Sequence, residues 1–355
     1  MIHPDSRTYD WINNVAISNG VKNKSLAEKT IRAFSLLEAL VRSGCPLIFK
    51  GGTSLMLHLN SAKRLSIDVD IICPPGTPIE NFLYEHAEEY GFGKVELLDR
   101  KTRLEIPKKH AKYHYQVAYP SGHEEDKILL DVLFEDNHYS EIVSLPIRSP
   151  FLKMEGDSVF VKIPSHEDLL GDKLTAFAPH TTGIPFFKGE KDCSMEINKQ
   201  LFDIASLFDI TNDISVSMQT FKKFADIELQ YRNKEDLTIN DVLKDIFNTS
   251  RCISLRGVES PDEFKLLQQG INKVKSFIHS ENYSIESAIV NSAKAAYLSK
   301  LIELGITEVN HFDSSKVHEL SNANIVHPLL SSKFNKFKKS NIEAFYYWNE
   351  IQKLL

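Results

Sequence analysis

No stretch of the 355-residue chain is apolar over the roughly 20 residues that a membrane-crossing helix needs, so no membrane partner is expected. Cysteine is scarce. The four (Cys45, Cys73, Cys193 and Cys252) are scattered without a CxxC pair, which supports neither a disulfide framework nor a zinc site of the usual ligand spacing. Positive charge is not in excess either: the net charge of −6 excludes a protein coated in positive potential. The leading residues MIHPDSRTYDWINN lack the basic flank and apolar centre of a secretory signal, and a reduced cytoplasm is the expected compartment. No serine stands in a GxSxG context, and there is no internal repeat or low-complexity tail.

What is present suits a chain of two or three domains with ordinary cores, since 42% of its residues are hydrophobic and 25% charged. Residues 1–45 read as a helical segment, with Ser25 capping LAEKTIRAFSLLEALVRSG, where Ile31, Phe34, Leu37 and Val41 recur at helical spacing. Pro46 opens a short strand, LIF, which Gly51-Gly52 break before TSLMLHL restarts as a helix. LSIDVDIIC alternates like a strand, NFLYEHAEEYG reads as a short helix, and VELLD, YHYQVAYP, KILLDVLFE and VFVKIP read as strands. SGHEED is the turn between the second and third of these. From residue 166 the pattern is helical: HEDLLGDKLTAFA, INKQLFDIASLFD, then amphipathic stripes such as Phe221, Phe224, Ile227, Leu229 and Ile285, Ala288, Ile289, Ala293, Ala296. The stripes predict core, not a cofactor box. The domains are therefore 1–45 helical, 46–165 a mixed core, and 166–355 helical, an α+β chain.

The chemistry concentrates in FKGGTSLMLHLNSAKRLSIDVDI. Side chains two apart on a strand share a face, so Asp68 and Asp70 project together and repel unless a cation lies between them. Oxygen ligands without histidine or cysteine favour Mg²⁺ or Mn²⁺ over zinc. Gly51-Gly52-Thr53-Ser54 stands at a strand-to-helix turn, where backbone N–H groups and a helix N-terminus approach phosphate and two hydroxyls add donors. The turn is neither a GxxxxGK[ST] loop nor a GxGxxG fingerprint. A metal half next to a phosphate half is the equipment of phosphoryl or nucleotidyl transfer. Asp131 interrupts the apolar strand KILLDVLFED, where an ionised side chain needs a partner, and it is the candidate third metal ligand.

These residues carry a resemblance. FKGGTSL followed by RLSIDVDI is similar to the nucleotidyltransferase superfamily with the DNA polymerase β type of core. It resembles more closely the AbiEii/AbiGii toxin family, which reads KGG[TS]-L and then R-x-[ST]-x-D-hydrophobic-D. The matching positions are Lys50, Gly51, Gly52, Thr53, Leu55, Arg64, Ser66, Asp68 and Asp70. Downstream, Lys173 stands where the family carries an essential lysine, and Asp203 where it carries an RD-x-x-D-type helix. Lys199-Gln200 replaces the usual Arg-Asp there.

The resemblance covers about residues 25–210 and implies a polymerase β-like core with a small mixed sheet, flanked by N-terminal helices and a C-terminal helical domain. It implies a Mg²⁺- or Mn²⁺-dependent enzyme moving a nucleoside monophosphate from an NTP to an acceptor. It also implies the toxin role in a toxin–antitoxin or phage-defence pair, with a separate antitoxin as partner and the 3′ end of tRNA as an acceptor. Asp68, Asp70 and Asp131 would hold metal. Gly51, Gly52, Thr53, Ser54 and Lys50 would bind phosphate, with Arg64 and Ser66 beside them. Lys173 would offset triphosphate charge, with Asp203 orienting it or pairing on a helix surface with Lys199.

Two segments interleave cations with aromatics, KKHAKYHY (108–115) and KFNKFKKS (333–340). Each is compatible with an RNA surface and equally with a solvated face over packed rings. The segment from Ala178 to Ile197 reads as a mobile loop near the site. None of His58, His110, His114, His138, His166 or His180 has metal-helix spacing, and none is assigned chemistry. Two alternatives stand beside the RNA-directed reading: transfer to a small molecule or protein side chain, and a non-catalytic nucleotide-binding module of the same fold.

Overall fold

The computed structural model describes residues 1–59, 63–98, 108–119 and 122–355. They divide into two units, Met1–His166 with Ser276–Asn282, and Glu167–Lys275 with Tyr283–Leu355. The architecture is α+β.

The first unit opens with α1 (Tyr9–Ser18) and α2 (Lys24–Arg42). The cap of α2 is Asn23 and not Ser25. Its side-chain oxygen accepts from the Leu26 N–H at 3.2 Å, which an asparagine does as well as a serine. Gly44 closes the helix at φ 77°, with Gly44 N–H donating to the Val41 carbonyl and Cys45 N–H to that of Leu40. Next come β1 (Ile48–Lys50), α3 (Gly51–His58) and β2 (Val69–Cys73). The helix expected over NFLYEHAEEYG shrinks to one turn, α4 (Glu80–Leu83), because His86 takes φ 59°, outside the right-handed helical region. β3 (Lys94–Leu98), β4 (Lys108–Gln116) and β5 (Glu125–Phe134) follow. The expected strand ends at Asp99 and Pro120, and the first residue of the expected turn, Ser121, lie outside the described residues. β6 (Ile142–Pro146) and β7 (Phe160–Pro164) pair as a separate ribbon. The segment IVSLP gave no strand signal because it is short and ends on proline.

The main sheet has the order β1-β2-β5-β4-β3. β2 and β5 run parallel and the other neighbours antiparallel. One face is core: Phe49, Val69, Ile71, Ala111, Tyr113, Tyr115, Ile128, Leu130 and Val132 are each at most 3% exposed and join Ile31, Phe34 and Leu37 of α2 in one buried cluster. The alternation explains KKHAKYHY, which is β4. Its tyrosines are buried, while Lys108, His110, Lys112 and His114 occupy the other face. The rings are therefore packed and not offered to bases. On the same unit, the returning residues 276–282 meet the approach to β2, with Leu65 N–H donating to the Phe277 carbonyl at 2.7 Å.

The second unit holds most of α5 (His166–Ala176), the ribbon β8 (Phe187–Lys188) and β9 (Lys191–Asp192), and then α6 (Ser194–Phe208), α7 (Ser215–Tyr231), α8 (Ile239–Ser254), α9 (Pro261–Val274), α10 (Ile285–Leu304), α11 (Phe337–Ser340) and α12 (Ile342–Leu354). α10 packs against α6, α8 and α12. The predicted stripes are core here, with Phe221, Phe224, Ala288, Ile289, Ala293 and Ala296 buried.

The segment 178–197 is anchored, not loose. Buried Asp245 accepts from the His180 N–H (2.8 Å), the Thr181 N–H (2.9 Å) and the Thr181 hydroxyl (2.9 Å), and the β8–β9 ribbon follows. KFNKFKKS likewise serves packing: Phe334 is fully buried and stacks on Trp348 at 4.0 Å, Phe337 is buried, and Lys333, Lys336 and Lys339 face outward. No helix among the described residues is long and apolar enough to cross a membrane.

Candidate active site

The site begins where β1 ends. Gly51 starts α3 at φ 81°, and a Cβ built on it would lie 2.1 Å from Asp70 Oδ2. A side chain here would meet both an unfavourable backbone region and the Asp70 carboxylate. A Cβ on Gly52 would lie 2.6 Å from Arg64 Nη2 and 2.9 Å from Ser66 Oγ. The two glycines thus let Asp70, Arg64 and Ser66 close onto the turn. The N-cap of α3, Lys50, makes no side-chain capping bond, and the first turn carries no acid, so this helix end suits an anion. Gly51→Ala is expected to cost about 1–3 kcal/mol in backbone strain and to abolish activity by displacing Asp70. Unchanged urea unfolding together with unchanged activity would contradict this geometry.

The hydroxyls do not point where the sequence suggested. Thr53 and Ser54 are both 0% exposed. Thr53 Oγ1 donates to the Asp68 carbonyl at 2.6 Å and Ser54 Oγ to the Gly51 carbonyl at 2.8 Å. A hydroxyl has one proton to donate, so both bonds serve the turn itself, and Thr53 fixes the backbone that presents Asp68. Arg64 is 7% exposed and donates to the Leu65 carbonyl. It braces the turn from within.

Across the sheet the register draws one row. Lys50 pairs with Asp70, Asp70 with Asp131, and Asp131 with His110. Neighbouring strands lie about 4.8 Å apart and aligned residues share a face, so four ionisable side chains stand in line on the face opposite the core. β2 begins at Val69, so Asp68 sits on the approach to the strand and not within it. Asp68 and Asp70 are half-buried around buried Val69, which keeps both off the core side. Lys50 Nζ lies 5.9 Å from the Tyr139 ring centroid, within cation–π reach. Asp131 is 46% exposed, and its Oδ1 is 2.5 Å from His110 Nδ1, on a ring that is 16% exposed. His110 was missed by sequence reasoning. Only the β4–β5 register, which no local spacing encodes, brings it to Asp131.

The donor set fits a hard divalent cation. Asp68, Asp70 and Asp131 offer oxygen only, and the Gly51 hollow admits the Asp70 carboxylate to the turn. Among the described residues no three His, Cys, Asp or Glu side chains are already drawn together as a metal cluster. Mg²⁺ asks for less than such a cage, since it is commonly held by one or two carboxylates with substrate phosphates and water.

In the second unit, Lys173 on α5 and Asp203 on α6 form an ion pair at 3.0 Å with side chains 7% and 2% exposed. Asp203 therefore lies in the interior and not on a helix surface. Burial of both charges together offsets a desolvation that neither would tolerate alone.

No curated protein matches the sequence. A family model described as "Nucleotidyl transferase AbiEii toxin, Type IV TA system" matches residues 35–268, a span that contains the glycine turn, the row of carboxylates and the Lys173–Asp203 pair. The chain belongs to the AbiEii nucleotidyl transferase toxin family.

Proposed function

We propose that the protein transfers a nucleoside monophosphate from an NTP to the 3′ end of an RNA, tRNA foremost, and acts as the toxin of a pair whose antitoxin is a separate protein. The observation that carries this reading is the row Lys50–Asp70–Asp131 beside the Gly51–Gly52 turn, whose N-cap residue makes no side-chain capping bond. The backbone N–H groups of the turn would hold the β- and γ-phosphates, with Lys50 alongside. Asp68, Asp70 and Asp131 would hold Mg²⁺ or Mn²⁺, which supplies charge neutralisation on the phosphates when bound. An acceptor hydroxyl would attack the α-phosphorus, forming one P–O bond while that to pyrophosphate breaks, and its proton would leave to solvent.

A polyanionic acceptor is supported by β4, which sets Lys108 and Lys112 on the same sheet face as Asp131. The test incubates purified protein, Mg²⁺ and each labelled NTP with total RNA and total protein. Label in RNA of tRNA size is expected. Label in protein or in small molecules would overturn the RNA acceptor, and no labelled product of any class would overturn transfer itself.

A further inference from the structure

We infer that His110 is a positioning residue that keeps Asp131 a one-oxygen ligand and thereby selects Mg²⁺ or Mn²⁺ over Ca²⁺; this rests on the transferase reading above. An ionised carboxylate only accepts, so Nδ1 of His110 donates to Oδ1 of Asp131. Oδ2 carries no hydrogen bond among the described residues. One oxygen is thus committed to β4 and one remains open.

The backbone of His110 is held between two ladders, opposite Leu98 on β3 and Asp131 on β5, and its ring is only 16% exposed, so a largely buried donor meets a carboxylate that otherwise rotates freely. The pair does little for stability, since Asp131 is 46% exposed and an ion pair so open is screened by solvent. Its consequence is geometric. Ca²⁺ readily takes a carboxylate through both oxygens in a large, loose shell, whereas Mg²⁺ demands compact octahedral geometry and single-oxygen contacts. An Asp131 tied through Oδ1 can give the second kind of contact and not the first.

Three substitutions separate this role from packing. Asparagine places an amide N–H near the Nδ1 position, glutamine places one near Nε2, and alanine places none. Manganese binding is followed by electron paramagnetic resonance in the presence of a non-hydrolysable NTP, with Ca²⁺ as competitor, and turnover is measured in parallel. His110→Ala and His110→Gln are expected to lower kcat by about 10–100-fold with KM for the nucleotide unchanged, and to let about tenfold less Ca²⁺ displace Mn²⁺, the scale of losing a partner that orients a ligand. His110→Asn is expected to stay near wild type in both. Should His110→Ala fail to fold, the asparagine and glutamine variants decide alone. Wild-type Ca²⁺ competition in all three variants, or asparagine as impaired as glutamine, overturns the inference while the transferase reading stands. A wild-type protein that binds no Mn²⁺ with nucleotide overturns both.

Discussion

Asp70→Asn is expected to leave the protein folded and to remove nucleotide transfer by about a thousandfold or more, the scale on which loss of a charge contact made in a phosphoryl-transfer transition state acts. Asp70 stands in mid-row, with Lys50 aligned on one side and Asp131 on the other, and its Oδ2 fills the hollow that Gly51 leaves. Asparagine keeps that shape and removes the charge. The side chain is half-buried, where a single charge contributes no more than about 1 kcal/mol to stability, and relief of repulsion from Asp131 works in the opposite direction. Thermal unfolding of wild type and variant should therefore nearly coincide while labelled product disappears. The contrast with Gly51→Ala is informative, because that change leaves every charge in place and disturbs only their arrangement. A variant retaining more than about a tenth of wild-type turnover would remove Asp70 from the machinery, since that loss equals only about 1.4 kcal/mol of barrier.

The parts of this site that were legible in the sequence are those whose signal is local. Gly51 and Gly52 are readable because two glycines between a strand and a helix mark a turn with an open backbone, and Asp70 because alternation fixes its face; that the same turn admits the Asp70 carboxylate was not readable. Asp131 is readable for a different reason, being a charge inside an apolar strand. His110 had no such signal. Its chemistry exists only once β4 lies antiparallel to β5 in one register, and a shift by a single residue would turn it toward the core.

The carbonyl partners of the Thr53 and Ser54 hydroxyls had no sequence signal, because a donor beside a phosphate turn looks the same in sequence whether it faces the ligand or the turn's own carbonyls. NFLYEHAEEYG carries a helical pattern that one residue, His86 at φ 59°, overrides. KFNKFKKS shows the limit of composition: Phe334 and the exposed lysines alternate as they would on an RNA surface, and only the stacking on Trp348 assigns the ring to the interior.

The second large effect concerns Lys173 and Asp203, where structure and function make opposite demands on the same variants. Lys173→Met or Asp203→Leu alone leaves the other charge buried and unmatched, and each is expected to destabilise the protein by about 3–5 kcal/mol, visible as a lower urea midpoint. The double variant Lys173→Met/Asp203→Leu removes both charges and both desolvation penalties. Replacing a buried ion pair with apolar side chains of similar volume is often neutral or stabilising, so the double variant should recover most of the stability that each single change loses. Its activity then separates the two roles. If the pair merely ties α5 to α6, restored packing restores transfer. If the Lys173 charge is needed for transfer in its own right, a stable double variant is as inactive as Lys173→Met, and that is the expected result. Transfer recovered in step with stability would return Lys173 and Asp203 to the helical core and leave the row on the sheet to account for catalysis alone.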